Sequence, residues 1–91
     1  MNQNDFDLLL QSANHNLDGF ADNIHKEYQT LKKEDLCYLC LTLMNLNDKQ
    51  ISSLFGVTYS TIRTRRNKIC DILEIKNEQL YKHLIDKLYL S

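Results

Sequence analysis

The chain has no proline and only two glycines, Gly19 and Gly56, in 91 residues. Hairpins and tight turns draw heavily on those two residue types. A sequence so poor in backbone punctuation reads as helices joined by short polar connections, so an all-α fold is expected. The length suits one small domain. Such a chain keeps roughly a third or more of its surface exposed. That leaves little room for a deep substrate cleft and weighs against an enzyme. No apolar run reaches the ~18 residues of a membrane span. The opening residues, Met1-Asn2-Gln3-Asn4-Asp5, lack the basic start of an export signal. No membrane partner and a cytoplasmic location are expected. Three cysteines, an odd number, then read as reduced thiols.

The formal net charge is −1, but it is unevenly spread. Residues 1–46 hold three lysines against seven carboxylates, and residues 47–91 hold eight cations against five. Within 58–69 stand Arg63, Arg65, Arg66 and Lys68 with no acid among them. A local basic stripe on an acidic remainder suits an anionic partner at one face.

Hydrophobic spacing divides the chain. Phe6, Leu9, Leu10, Ala13, Leu17, Phe20, Ala21, Ile24 and Tyr28 recur at steps of three and four, predicting one long helix over 5–29. Gly19 within it costs ~1 kcal/mol against Ala, which favours a kink or fraying there. This helix either covers the domain's own core or forms a coiled-coil stem that pairs two chains. A second helix is predicted over 33–45, with Glu34 and Asp35 in its first turn, where acids suit the helix dipole. Its buried face is Leu36, Leu39, Cys40, Leu43 and Met44. Cys37 and Cys40 form a lone C-x-x-C. Only Cys70 and the scattered His15, His25 and His83 could complete four zinc ligands, at no recognisable spacing. These are structural thiols in this reading, with no metal.

The third helix is signalled at both ends. Asn47 with Gln50 makes a capping box, and Gly56 supplies the left-handed residue that ends a helix. Ile51, Leu54 and Phe55 are its apolar side. Thr58 caps a fourth helix from Tyr59 to about Leu73, with Ile62, Ile69, Ile72 and Leu73 inward. Two helices joined by about three residues with one Gly have the spacing of a helix-turn-helix. Ser52 is small where the pair crosses closely, and Val57 and Ile62 fill the angle between them. Asn77 is the expected cap of a fifth helix over about 78–90.

From Leu31 to Leu90, about two thirds of the chain, the sequence resembles the DNA-binding domain of LuxR/FixJ/GerE-type transcriptional regulators. The matching stretches are Leu31-Lys32-Lys33-Glu34-Asp35-Leu36, Asn47-Asp48-Lys49-Gln50-Ile51-Ser52-Ser53-Leu54 and Thr58-Tyr59-Ser60-Thr61-Ile62-Arg63, followed by Arg66 to Ile75. Lys32, where that family usually has Ser or Thr, Ser52 in place of Ala, and Arg65 in place of a frequent His are departures. The resemblance implies a four-helix helix-turn-helix domain over 31–91, preceded by the long helix of 1–30. It also implies double-stranded DNA as the partner and a homodimer through the last helix, the N-terminal helix or both.

In that frame Tyr59, Ser60 and Arg63 lead the recognition helix and are the base-edge candidates, with Thr64 one turn on at the border between bases and backbone. Lys49, Thr58, Arg65, Asn67 and Lys68 are the phosphate candidates, Lys49 because a helix N-terminus is a natural phosphate seat. Thr58 doubles as a cap. Arg66 falls on the inward edge, where an ion pair with Glu34 or Asp35 is expected instead of DNA contact. No Gly-rich phosphate loop, nucleophile elbow or His-carboxylate cluster is present, so no catalytic residue and no cofactor are expected. Two other readings stay open. One is a promoter-binding module like region four of sigma factors, acting with RNA polymerase. The other is a protein-interaction domain that kept the helical pair but lost DNA affinity.

Overall fold

The computed structural model describes residues 2–90. Among them are six α-helices and no strand: α1 (Gln3–Asn16), α2 (Phe20–Glu27), α3 (Lys33–Leu43), α4 (Asp48–Phe55), α5 (Tyr59–Leu73) and α6 (Leu80–Leu90). A single 3-10 turn, Asn77–Gln79, leads into α6. No helix of the described residues is long and apolar enough to cross a membrane.

α3 is the centre. Seven consecutive residues, Asp35 through Leu41, are buried. A helix buried on every side needs apolar groups on every side, and α3 supplies them with Leu36, Cys37, Tyr38, Leu39, Cys40 and Leu41. The predicted one-sided stripe is therefore too narrow. It is also wrong at its end, because Met44 lies past the last turn and is 39% exposed. Helices α1, α2 and α6 pack around α3. One contiguous core results, from Phe6 in α1 to Leu84 in α6.

The long helix predicted over 5–29 is two helices. Asp18 (φ 54°) and Gly19 (φ 81°) are both left-handed, a conformation no α-helix can carry through. Asn14 holds the bend shut from the α1 side. Its Nδ2 donates to Asp22 Oδ2 at 3.0 Å, and its Oδ1 accepts from the Asp22 N–H at 3.2 Å. The apolar stripe is consumed within the chain: Phe6, Ala13, Phe20, Ala21 and Ile24 enter the core, with Leu9, Leu10, Leu17 and Tyr28 packed against it. Of the two roles open to this segment, the structure shows it covering the domain's own core.

Four helix ends share one closing device. After α1, α3, α4 and α5, the residues Asp18, Asn45, Gly56 and Glu74 adopt positive φ. In each case the next N–H donates five residues back: Gly19 to Asn14, Leu46 to Leu41, Val57 to Ser52 and Ile75 to Cys70. α6 starts differently from expectation. Gln79 Oε1 accepts from the Lys76 N–H at 3.1 Å, while Asn77 turns away and donates to Asn67 Oδ1 at 2.7 Å.

Two outcomes follow from this architecture. Glu74→Gly removes the steric penalty of a left-handed side chain, about 1–2 kcal/mol, against a smaller entropic cost. Chemical denaturation should show a gain of roughly 0.5–1 kcal/mol. The thiols of Cys37 and Cys40 are pushed up to about 12 by burial, and that of Cys70 is raised by the same cause. All three should resist a thiol-exchange reagent at pH 8 and react together on unfolding.

Candidate nucleic-acid interface

The α4–turn–α5 unit is built by local signals. Asn47 Oδ1 accepts from the Gln50 N–H at 2.9 Å, and Gln50 Oε1 accepts from the Asn47 N–H at 2.8 Å. Gly56 closes α4 at φ 72°. Thr58 Oγ1 then accepts from the Thr61 N–H at 3.1 Å and starts α5. Ile51, Phe55 and Ile62 are buried between the two helices and the core. Phe55 meets Phe6 of α1 edge-on, with ring centres 5.0 Å apart. Ser52, 7% exposed, donates its hydroxyl to Lys49 O at 2.8 Å. Val57 does not fill the helix angle as expected, and Leu54 is not on the buried side of α4 as expected. They lie 40% and 45% exposed at the turn, and Ile62 is buried there with Ile51 and Phe55.

At 3.6 residues per turn, α5 divides into an inner face and three outer strips. Ile62, Ile69, Cys70 and Leu73 are the buried side. Ser60, Thr64 and Asn67 run down the opposite side, all exposed, with Asp71 next in the row. On one flank Tyr59, Arg63 and Arg66 face the start of α4 across a cleft of about 570 Å3 that also takes in Asp48 and Lys49. On the other flank Thr61, Arg65 and Lys68 border a smaller groove of about 310 Å3. The predicted base-edge set thus sits on one continuous exposed surface. The predicted phosphate set is distributed around it.

The surroundings of each side chain differ. Arg63 lies over the Tyr59 ring at 5.8 Å and donates from its NH1 to the Tyr59 hydroxyl at 3.1 Å. Thr64 donates its hydroxyl to Ser60 O at 3.1 Å, and Thr58 caps α5. Lys49 is exposed in the first turn of α4. Asn67 is tied to Asn77 ahead of α6.

The two central arginines are held by carboxylates, and the one paired with Asp35 is Arg65, not Arg66. Arg65, expected at phosphate, donates to Asp35 Oδ1 at 2.7 Å with its side chain only 26% exposed. Asp35 is completely buried, and its Oδ2 accepts from the Lys32 N–H at 2.9 Å. Lys68 stands 3.7 Å from the same carboxylate and is half exposed. Arg66, expected at Glu34 or Asp35, instead reaches Asp48. Its NH1 lies 3.5 Å from Asp48 Oδ2 and donates to the Tyr38 hydroxyl at 3.3 Å, while its NH2 donates to Asn77 O at 3.0 Å. Tyr38 donates in turn to Asp48 Oδ1 at 2.7 Å. Burial and this carboxylate push the Tyr38 phenol well above its usual range, so it stays a donor. Glu34 accepts from Gln3 Nε2 at 2.8 Å.

Tyr38 is missed by the sequence analysis, and Asp35, expected as an ion-pair partner of Arg66, is missed as the cap of the Lys32 N–H and the partner of Arg65. For Asp35 a signal existed: an acid three residues after a helix cap reaches back to the cap's N–H. Tyr38 carried none, since a tyrosine inside an apolar helix reads as core. Among the described residues no group of three or more His, Cys, Asp or Glu side chains is placed to hold a metal ion. Comparison with protein-family models, with curated proteins and with solved structures finds no match to this chain.

Removing one partner of a buried ion pair strands the other charge, at a cost of about 3–5 kcal/mol. Arg65→Met should therefore lower unfolding free energy by roughly 3 kcal/mol. Lys68→Met, at a longer and half-exposed contact, should cost under ~1 kcal/mol. Equal losses in urea titrations of the two variants would contradict this division.

Proposed function

We propose that this chain is a DNA-binding module of a transcriptional regulator, of the LuxR/FixJ/GerE helix-turn-helix type. The observation that carries the reading is the open outer surface of α5. Ser60, Arg63, Thr64, Asn67 and Lys68 are all exposed, and α1 and α2 pack against α3. Nothing in the described chain lies across the helix that would enter a groove. A major groove about 12 Å wide admits one helix of about that diameter.

In this reading α5 lies in the groove with Tyr59, Ser60, Arg63 and Thr64 toward base edges. Lys49, Thr58, Asn67 and Lys68 take phosphates, and Arg65 contributes only the part of its guanidinium that Asp35 leaves over. The charge balance sets the mode of binding. Arg65 and Arg66 are largely neutralised internally. Lys49, Arg63 and Lys68 remain as the forward cations, against Asp71. Few phosphate contacts per subunit favour a dimer on two half-sites, because linked binding multiplies weak affinities. Tyr81 and Tyr89, 42% and 79% exposed on α6, and Leu8, 66% exposed on α1, are apolar groups open to a second copy. A second reading, the polymerase-dependent promoter module, draws on Leu54 and Val57, exposed side by side at the turn.

Titration of duplex DNA across a salt series tests the proposal. Log K should fall with log salt at a slope of about −2 to −4 per subunit, since each neutralised phosphate contributes about −0.9. Arg63→Ala should erase ~1–3 kcal/mol of discrimination between preferred and random duplex. Lys68→Ala should weaken all duplexes alike and flatten the slope by about one. Absence of binding at low salt would remove the DNA reading, and binding only with polymerase present would select the promoter-module reading.

A further inference from the structure

The four cations of α5 do not have equal partners. Arg65 and Lys68 stand 2.7 and 3.7 Å from the Asp35 carboxylate, and Arg66 stands 3.5 Å from that of Asp48. Arg63 is exposed and meets no carboxylate among the described residues. Its partner is neutral: NH1 donates to the Tyr59 hydroxyl at 3.1 Å, and the guanidinium lies over the Tyr59 ring at 5.8 Å. Tyr59 opens α5 one helical turn before Arg63, where side chains four residues apart are neighbours. Asp48 borders the same cleft, but Tyr38 and Arg66 already hold its carboxylate.

A neutral partner does what a carboxylate cannot. It narrows the directions open to the guanidinium and leaves the charge whole. Arginine is rich in rotamers, and ordering such a side chain is part of the cost of binding. Tyr59, an aromatic with few torsions, orders Arg63 before any ligand arrives. The contact also decides which edge stays open. With NH1 turned to Tyr59, the Nε and NH2 donors remain as a parallel pair. In the major groove guanine offers two acceptors side by side, O6 and N7. Adenine offers an acceptor beside a donor, thymine an acceptor beside a methyl, and cytosine a donor. Guanine alone matches both donors.

We propose that Tyr59 is the positioning residue for Arg63, aiming its Nε–NH2 edge at a guanine in one base pair of the DNA site. The inference rests on the DNA reading above, and adds to it the base selected and the group that aims the reader. Tyr59 acts through Arg63 and not on a base of its own.

The test starts with selection from a pool of randomised duplexes by the intact chain. Affinities then follow for the selected duplex and for copies changed at single base pairs. One guanine should stand out, with adenine in its place weakening binding about tenfold or more. Arg63→Lys keeps a cation and loses the fork, and should bring that ratio close to one. Tyr59→Phe keeps the ring and loses the hydroxyl, and should lower the ratio about threefold at that base pair. A second readout needs no DNA: the NMR order parameter of the Arg63 Nε–H should fall in Tyr59→Phe. A guanine ratio undiminished in Tyr59→Phe, an equal loss on every duplex, or an Arg63 side chain as mobile in the native chain as in the variant would each overturn the proposal. Selection of a site without a guanine sensitive to Arg63→Lys would overturn it too, and leave the DNA reading standing. Absence of binding to any duplex would remove that reading and the proposal together.

Discussion

A single carboxylate, that of Asp35, sets the position of the helix that matters most. It is fully buried at the N-terminal end of the central helix, where an unpaired charge would be intolerable. It is satisfied from two directions: by the Lys32 N–H of its own first turn and by the Arg65 guanidinium of α5. The first bond caps α3, which has no side-chain cap of the usual kind. The second ties α5 to the start of α3. The Arg66–Tyr38–Asp48 cluster does the same on the opposite flank and adds the turn before α6. α5 is thus held by apolar residues from below and by one anchored arginine on each side.

These anchors explain how an acidic protein can present a usable basic surface. Two of the four cations in 58–69 serve the fold, and their charges are cancelled where they lie. The others, Arg63 and Lys68, with Lys49 from α4, stay forward. The result is a modest positive face on a chain of negative net charge.

Much of this was legible in the sequence. Asn47 with Gln50, Gly56 and Thr58 marked the boundaries of α4 and α5 correctly, because cap chemistry is local and acts within three residues. The α1–α2 break was half legible: Gly19 flagged a weakness, but Asp18, the other left-handed residue, looks like an ordinary helix-surface acid. Glu74 was unreadable as a stop, since a glutamate does not advertise a positive φ, whereas Asn45 carried a weak signal because Asn visits that region more readily than most residues. The pairing of Arg65 and Arg66 was misassigned for a different reason. Both lie near the edge of the buried side of α5, and which one meets α3 and which meets α4 depends on how three helices cross. Helical periodicity gives the face of a residue but not the neighbour it finds there. The same limit applies to α3, whose complete burial follows from being surrounded and not from its own pattern.

That burial has a consequence for motion. An amide in the middle of α3 can meet solvent only when α1, α2 and α6 have all been displaced, so its opening is the opening of the whole domain. α5 is different on one side only: its inner residues are buried and its two arginines anchored, while its outer side is already wet. The molecule therefore joins a closed interior to an open outer face, and the exposed side chains of α5 can change rotamer there without disturbing the core. Adaptation to a partner's contour can proceed there while the interior keeps its shape.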